Sequence, residues 1–231
     1  EGVTSDPNAP TSATRDQLFV GFQASQFNQQ EGSVALLSCL YMQQCSGTAN
    51  FVQEWDNYNA SAEETDANFV GIYTGGGLVD LRAVQASAEA DGDDQYLGIA
   101  KVWEALAVSF GADNWGDIPY SEAITETETP AFDDQLAIYA ELQELLTGAL
   151  TDLGGEGPGP GDVDLIYEGN VAQWTRAANT LKARLHMHTA EKLGSAAYTA
   201  AIAAAENGIR NPADDFRTWH GAEGSERNLW N

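Results

Sequence analysis

Three histidines, two cysteines and 35 carboxylates are the groups in this 231-residue chain that could carry catalysis or hold a metal. His186 and His188 lie two residues apart in a helical stretch, where the 3.6-residue period points their side chains about 200° apart. They cannot share one metal ion, and His220 stands alone. No H-E-x-x-H, no G-x-S-x-G and no cysteine with a histidine partner pattern occurs. Glycoside hydrolysis needs a carboxylate pair a few ångströms apart. Among 35 acids such a pair can be picked out anywhere, so finding one carries no information. The sequence predicts no catalytic residue and no metal ligand.

Binding without chemistry suits the residue inventory better. Sugars are held by flat aromatic faces under their C–H surfaces and by planar amides or carboxylates that meet their hydroxyls. Trp55, Tyr58, Trp115 and Tyr120 supply the rings, and Asp113, Asn114 and Asp117 the polar partners. Trp103 and Trp174 fall on helical stripes and read as core. Trp115, between Asn114 and Gly116, has a second reading as a plug at the end of a helix pair.

The other motifs that invite a function fail on inspection. Gly75-Gly76-Gly77 is not a phosphate loop, since no Lys-Ser/Thr follows and no strand precedes it. Asp91-Gly-Asp-Asp94 resembles the opening of a calcium loop but lacks the later Glu, and reads as a solvated turn with an N-cap. The formal charge of −25 disfavours nucleic acid and anionic membrane surfaces as partners. It fits an acidic exterior suited to salt, or acids gathered into calcium sites. No cofactor is predicted, with calcium as the open alternative. No apolar run reaches the ~18–20 residues of a membrane span. The sequence opens with no initiator Met, signal-like segment or lipid-modifiable Cys.

Cys39 and Cys45 are the two cysteines. Six residues of unbroken helix would hold them about 9 Å apart along the axis, so a bridge requires the helix to end between them, which Gly47 nearby permits. In an exported protein this spacing favours a small-loop disulfide over a zinc site, the alternative being two buried thiols.

The elements that would position these residues are helices. The chain is organised around residues 96–123, where Tyr96, Ile99, Ala100, Trp103, Leu106 and Phe110 form one apolar stripe. Gly111 is expected to stop that helix in the left-handed position, with Pro119 holding Ile118 extended. Thr14 or Ser12 caps a helix over 15–30 that turns Leu18, Phe19, Phe22 and Phe27 inward, and a short helix carries Val34 to Tyr41. Residues 46–59 read as a loop with Phe51, Trp55 and Tyr58. A longer helical pattern over 62–90 contains the glycine triplet, which costs roughly 1 kcal/mol per residue against alanine and marks a break or a close helix contact. Residues 124–130 read as an extended connector and 133–153 as a helix. The Gly/Pro run 154–161 is a loop within one domain. Asn170 caps a helix over 171–193 with Trp174, Leu181, Leu185 and Met187 inward. The next helix, 196–208, carries Tyr198, Ile202 and Ala205, and this last pair is tetratricopeptide-like. Trp219 and Trp230 lie in a tail.

Four stretches in this order carry a resemblance. They are Asp6-Pro-Asn-Ala-Pro-Thr-Ser-Ala-Thr14; Asp113-Asn-Trp-Gly-Asp-Ile-Pro-Tyr-Ser-Glu-Ala123; Phe132-Asp-Asp-Gln-Leu-Ala-Ile-Tyr139; and Asp164-Leu-Ile-Tyr-Glu-Gly-Asn-Val-Ala-Gln-Trp174, continuing to Leu185. Together they resemble the SusD/RagB family of outer-membrane nutrient-binding lipoproteins, in its branch of starch-binding proteins that associate with the outer membrane. The resemblance implies an all-α fold of irregular tetratricopeptide-like helix pairs with long loops. It implies one domain over 1–231, the N-terminal half of a longer protein. The implied role is capture of oligosaccharide or another nutrient on the extracellular face of the outer membrane, capping a SusC-type TonB-dependent transporter. The membrane would be reached only through a lipid anchor upstream of Glu1. The rival reading is a structural surface protein that assembles into a layer or filament through helix-pair contacts.

Overall fold

The computed structural model describes residues 13–221, so most of residues 6–14 and Trp230 lie outside the described residues. Among the described residues the fold is all α, with one isolated antiparallel bridge, Ile118 to Asp133, in place of a sheet. The helices are α1 (Arg15–Glu31), α2 (Ser33–Tyr41), α3 (Asn50–Asp56), α4 (Asp66–Gly71) and α5 (Leu78–Asp91), followed by α6 (Asp94–Trp115), α7 (Gln135–Leu153), α8 (Val171–His188), α9 (Ala190–Leu193) and α10 (Ser195–Ala205).

α6 is the axle, packed by α5, α7 and α8, while α1 lies on α5, and α10 on α8. Its stripe is broader than the sequence suggests. Val102, Ala105, Ala107 and Val108 are buried along with Ile99 and Trp103, because neighbours surround the helix. Trp103 meets the rings of Phe22, Trp174 and Phe216 at centroid distances of 5.6, 6.0 and 5.2 Å. A buried indole removes roughly 200 Å² from water, worth about 5 kcal/mol before entropy is counted.

Local chemistry explains most boundaries. Thr14 closes a capping box with Gln17, each side chain bonding the other's backbone N–H. Asp134 caps α7, and Asn170 caps α8. The glycine triplet is a break, since α4 ends at Gly71 and α5 starts at Leu78. α2 ends at Tyr41, inside the Cys39–Cys45 interval, and the two cysteines are disulfide-linked with Cα atoms 5.5 Å apart. The 154–161 run folds over the start of α6, where Glu156 and Gly159 donate their backbone N–H groups to Asp94 and Asp93. Asp93 caps α6 as expected, but it is buried rather than solvated.

Several expectations are corrected. α6 does not stop at Gly111. That residue is helical and buried, and a Cβ there would stand 2.8 Å from Ile118 and 2.9 Å from Ile72, so the glycine permits close packing instead. The helix ends at Gly116, whose φ of 76° supplies the turn. Residues 50–56 are helical, with Phe51 and Trp55 one turn apart and in ring contact at 5.0 Å. Residues 121–126 form turns instead of an extended connector. Thr189 splits the expected 171–193 helix, its hydroxyl donating to the His186 carbonyl at 2.8 Å. Met187, Tyr198 and Ile202 are exposed, and Ala205 with them. α10 meets α8 through Ala197 and Ala201, whose small side chains let the helices approach.

Candidate binding groove

The stretch 113–123 is held by its neighbours residue by residue. Asp133 accepts from the backbone N–H of Tyr120 (2.7 Å) and of Ser121 (2.8 Å), and from the Ser121 hydroxyl (2.7 Å). Burial alone would raise this carboxyl, but these donors outweigh it and hold Asp133 below its ordinary value. Asp117 accepts the backbone N–H of Gln135 at 2.9 Å and so tethers the start of α7. Asp113 accepts from the Tyr139 hydroxyl (2.7 Å) and from Arg184 (3.0 Å), and pairs with His188 Nδ1 at 2.9 Å. Tyr120 is 7% exposed, and its hydroxyl donates to Glu104 Oε1 at 3.3 Å. Burial, reinforced by that carboxylate, pushes the Tyr120 phenol well above its ordinary range.

Asp117 is exposed and holds the start of α7 from outside, whereas Asp113 and Tyr120 are tied to α6, α7 and α8. Trp55 is likewise enclosed, at 3% exposure, against Phe51. For Trp55 and Tyr120 the expectation of an available aromatic face is corrected: packing from other elements covers both rings.

Trp115 and Asn114, at the C-terminal end of α6, are placed differently. They form one wall of a groove of about 670 Å³ whose other walls come from α2 and from residues 62–69. Leu37, Tyr41, Met42 and Phe69 supply apolar surface, and Thr65 and Asp66 add polar groups. This size lies within the range of small-molecule sites. The Trp115 indole is braced edge-to-face by Phe69 (5.6 Å) and Phe110 (6.0 Å). Phe69 leans in turn on Tyr73 at 5.6 Å, whose hydroxyl donates to the Pro119 carbonyl at 3.0 Å. Burial, with Asp133 nearby, pushes the Tyr73 phenol up to about 12. Asn114 is exposed, its amide nitrogen bonded to the Phe110 carbonyl at 2.7 Å.

Tyr58 packs on Tyr41, one of the residues that line the groove. Their rings lie 5.1 Å apart, and the Tyr58 hydroxyl donates to the Tyr41 carbonyl at 3.2 Å while accepting from Gln43. At 55% exposure Tyr58 offers a face to solvent. The structure thus sets Trp115 and Asn114 in the wall of the groove and places Tyr58 against Tyr41 outside that lining. It leaves Trp55, Tyr120 and Asp113 in the packing, and Asp117 exposed where it tethers α7. Tyr41 and Phe69 escaped notice because each falls in a helical pattern, where an aromatic reads as core. Among the described residues no group of three His, Cys, Asp or Glu side chains gathers as a metal site, and no helix is long and apolar enough to cross a membrane.

A family model described as SusD-like, starch-binding associating with outer membrane, matches residues 7–230. A SusD/RagB family protein from Bacteroides thetaiotaomicron superposes with a TM-score of 0.81 at 24% identity, over 89% of this chain and 45% of that one. A protein named as chitin-binding superposes at 0.76 with 25% identity, over 88% and 45%. A chitin-binding SusD homolog from Flavobacterium johnsoniae superposes at 0.60 with 18% identity, over 86% and 45%. The chain therefore spans less than half the length of these solved structures. No curated protein matches it.

Proposed function

The chain belongs to the SusD-like family of starch-binding proteins that associate with the outer membrane, and on that premise we propose that it binds glycan at the cell surface without cleaving it. One observation carries the reading: a groove of about 670 Å³ presents the braced indole of Trp115 beside the exposed amide of Asn114. A rigid aromatic face loses little freedom when a sugar ring stacks on it, and an amide can both give and accept hydrogen bonds with hydroxyls. Chitin binding by two structurally similar proteins, as their names state, supports the same ligand class. The groove wall carries a single carboxylate, Asp66, whereas glycoside hydrolysis uses two. Capture rather than catalysis is what this lining suits.

In the full protein we place this domain on the extracellular face of the outer membrane, attached through a lipidated residue preceding Glu1. It would pass oligosaccharide to a SusC-type TonB-dependent transporter. The test is calorimetric titration of the purified chain with maltoheptaose and chitohexaose. Saturable heat with either sugar, and no reducing ends released on incubation, is the expected result. Absence of binding to a broad glycan panel would overturn the reading.

A further inference from the structure

The two walls of the groove belong to different parts of the fold. On one side Phe69 and Trp115 pack against the main core. On the other, Val34, Leu37, Ser38 and Tyr41 recur at three- and four-residue steps, so one face of α2 forms the wall. Met42 extends that wall past the helix end. α2 rests on α1 and α3. Its buried Val34 and Leu40, and Trp55 of α3, stand outside the main core. So small a cluster of apolar side chains holds an element weakly by itself.

The two ends of α2 are held by different means. At its first residue the Ser33 hydroxyl donates to Asn68 Oδ1 at 2.8 Å, and Asn68 is fixed in turn by Gln29. At its last turn the chain reverses. The backbone N–H of Gln43 donates to the Leu40 carbonyl and that of Gln44 to the Cys39 carbonyl, both at 2.9 Å. Gln43 sits at a φ of 54°, in the left-handed region that a residue with a side chain seldom takes. The Cys39–Cys45 bridge closes this reversal around Tyr41 and Met42. Beyond it Gly47 lies directly on α3, where a Cβ would collide with the Val52 carbonyl. Tyr58, past the end of α3, returns its hydroxyl to the Tyr41 carbonyl.

A bridge between residues six apart constrains the unfolded chain less than one across a long loop, so its effect falls on local geometry. Two of the residues it encloses, Tyr41 and Met42, line the groove. We propose that this disulfide is the positioning link of the groove: it keeps the end of α2 standing across from Trp115, so that this wall is preformed only in the oxidised chain. A ligand then meets a wall already in place and does not have to order it. The inference rests on the reading of the groove as the glycan site, although the state of the wall can be judged without any sugar.

The test compares the full chain with its Cys39→Ser/Cys45→Ser variant by hydrogen exchange and by calorimetric titration with maltoheptaose and chitohexaose. The amides of Met42, Gln43 and Tyr58 should exchange about tenfold faster in the variant while those of α6 keep the parent rate, as local opening does. Affinity for whichever sugar the parent binds should fall about fivefold, the effect of a wall formed about a fifth of the time. A water-soluble phosphine added to the folded parent should reproduce both changes with the sequence intact. Phosphorus gives two electrons to the S–S bond and takes an oxygen from water, and the sulfurs leave as two thiols. Unchanged exchange at Met42 and Gln43 overturns the proposal. Faster exchange in α6 as well, or loss of the fold by either route, also overturns it, since the bridge would then support the whole chain. Loosened amides with undiminished affinity overturn the positioning role while the glycan reading stands. If the parent binds no sugar, the glycan reading falls, and the exchange rates alone decide whether the bridge holds the wall.

Discussion

The indole N–H of Trp174 donates to Asp164 Oδ2 at 2.6 Å, with Asp164 only 1% exposed and Trp174 fully buried. This bond joins the two ends of the stretch 164–174, so the turn and the first turns of α8 fold as one unit. Burial raises the Asp164 carboxyl, and the bonds from Trp174, Gly169 and Ile166 pull the other way without cancelling it.

Asp164→Ala would leave Trp174 Nε1 and two backbone N–H groups without their acceptor inside the fold. Each unmet buried donor costs about 1–3 kcal/mol. The expected loss is about 3 kcal/mol or more, read as a lower urea midpoint at unchanged slope. A change below half a kilocalorie would show that the carboxylate is dispensable.

Glu104 ties α5, α6 and the 118–123 segment into one cluster. It accepts from Arg82 Nη2 at 3.1 Å, from Gln85 at 2.7 Å and from the Tyr120 hydroxyl at 3.3 Å, while Arg82 also donates to the Ala123 carbonyl. Glu104→Ala strands these donors and should cost about 3–5 kcal/mol, as breaking a buried ion pair does. Glu104→Gln keeps an acceptor and should cost less. Guanidinium unfolding of the two variants checks the order, and equal losses would contradict it.

The anchoring of residues 120–121 on Asp133 should fail in acid. The folded carboxyl lies below its ordinary value of 3.8, so its stabilisation is full above that value. It is lost as the pH falls through the lowered folded value. Unfolding midpoints measured down this range should drop less in Asp133→Asn than in the parent chain. Parallel curves would place the acid sensitivity elsewhere.

The legible parts of the sequence are those decided locally. Thr14, one of two candidate caps before α1, Asn170 before α8 and the glycine triplet before α5 act through their own neighbours, so spacing points to them. What escaped is decided by contacts distant in the chain. Gln23 and Gln29 look like solvent residues, yet both are buried. Gln23 holds Val163 and Leu165, and Gln29 exchanges amide bonds with Asn68. Gly111 and Gly116 are equally suited to end a helix, and only the approach of Ile72 and Ile118 decides between them. The same holds at the groove. Trp115 and Asn114 are recognisable because they flank a helix end, whereas the burial of Trp55 and the exposure of Tyr41's groove face depend on how α2, α3 and α4 meet.

Calorimetric titration of the parent chain, Trp115→Ala and Trp55→Ala with maltoheptaose and chitohexaose, paired with thermal unfolding, tests the account most directly. Loss of the Trp115 platform should weaken binding about tenfold, the scale of one aromatic stacking contact. Trp55→Ala should cost about 3–5 kcal/mol of stability as a buried indole does, with affinity retained at a temperature where the variant is folded. Affinity that survives loss of Trp115 and vanishes with Trp55 in a folded chain would contradict the groove as the place where glycan is held.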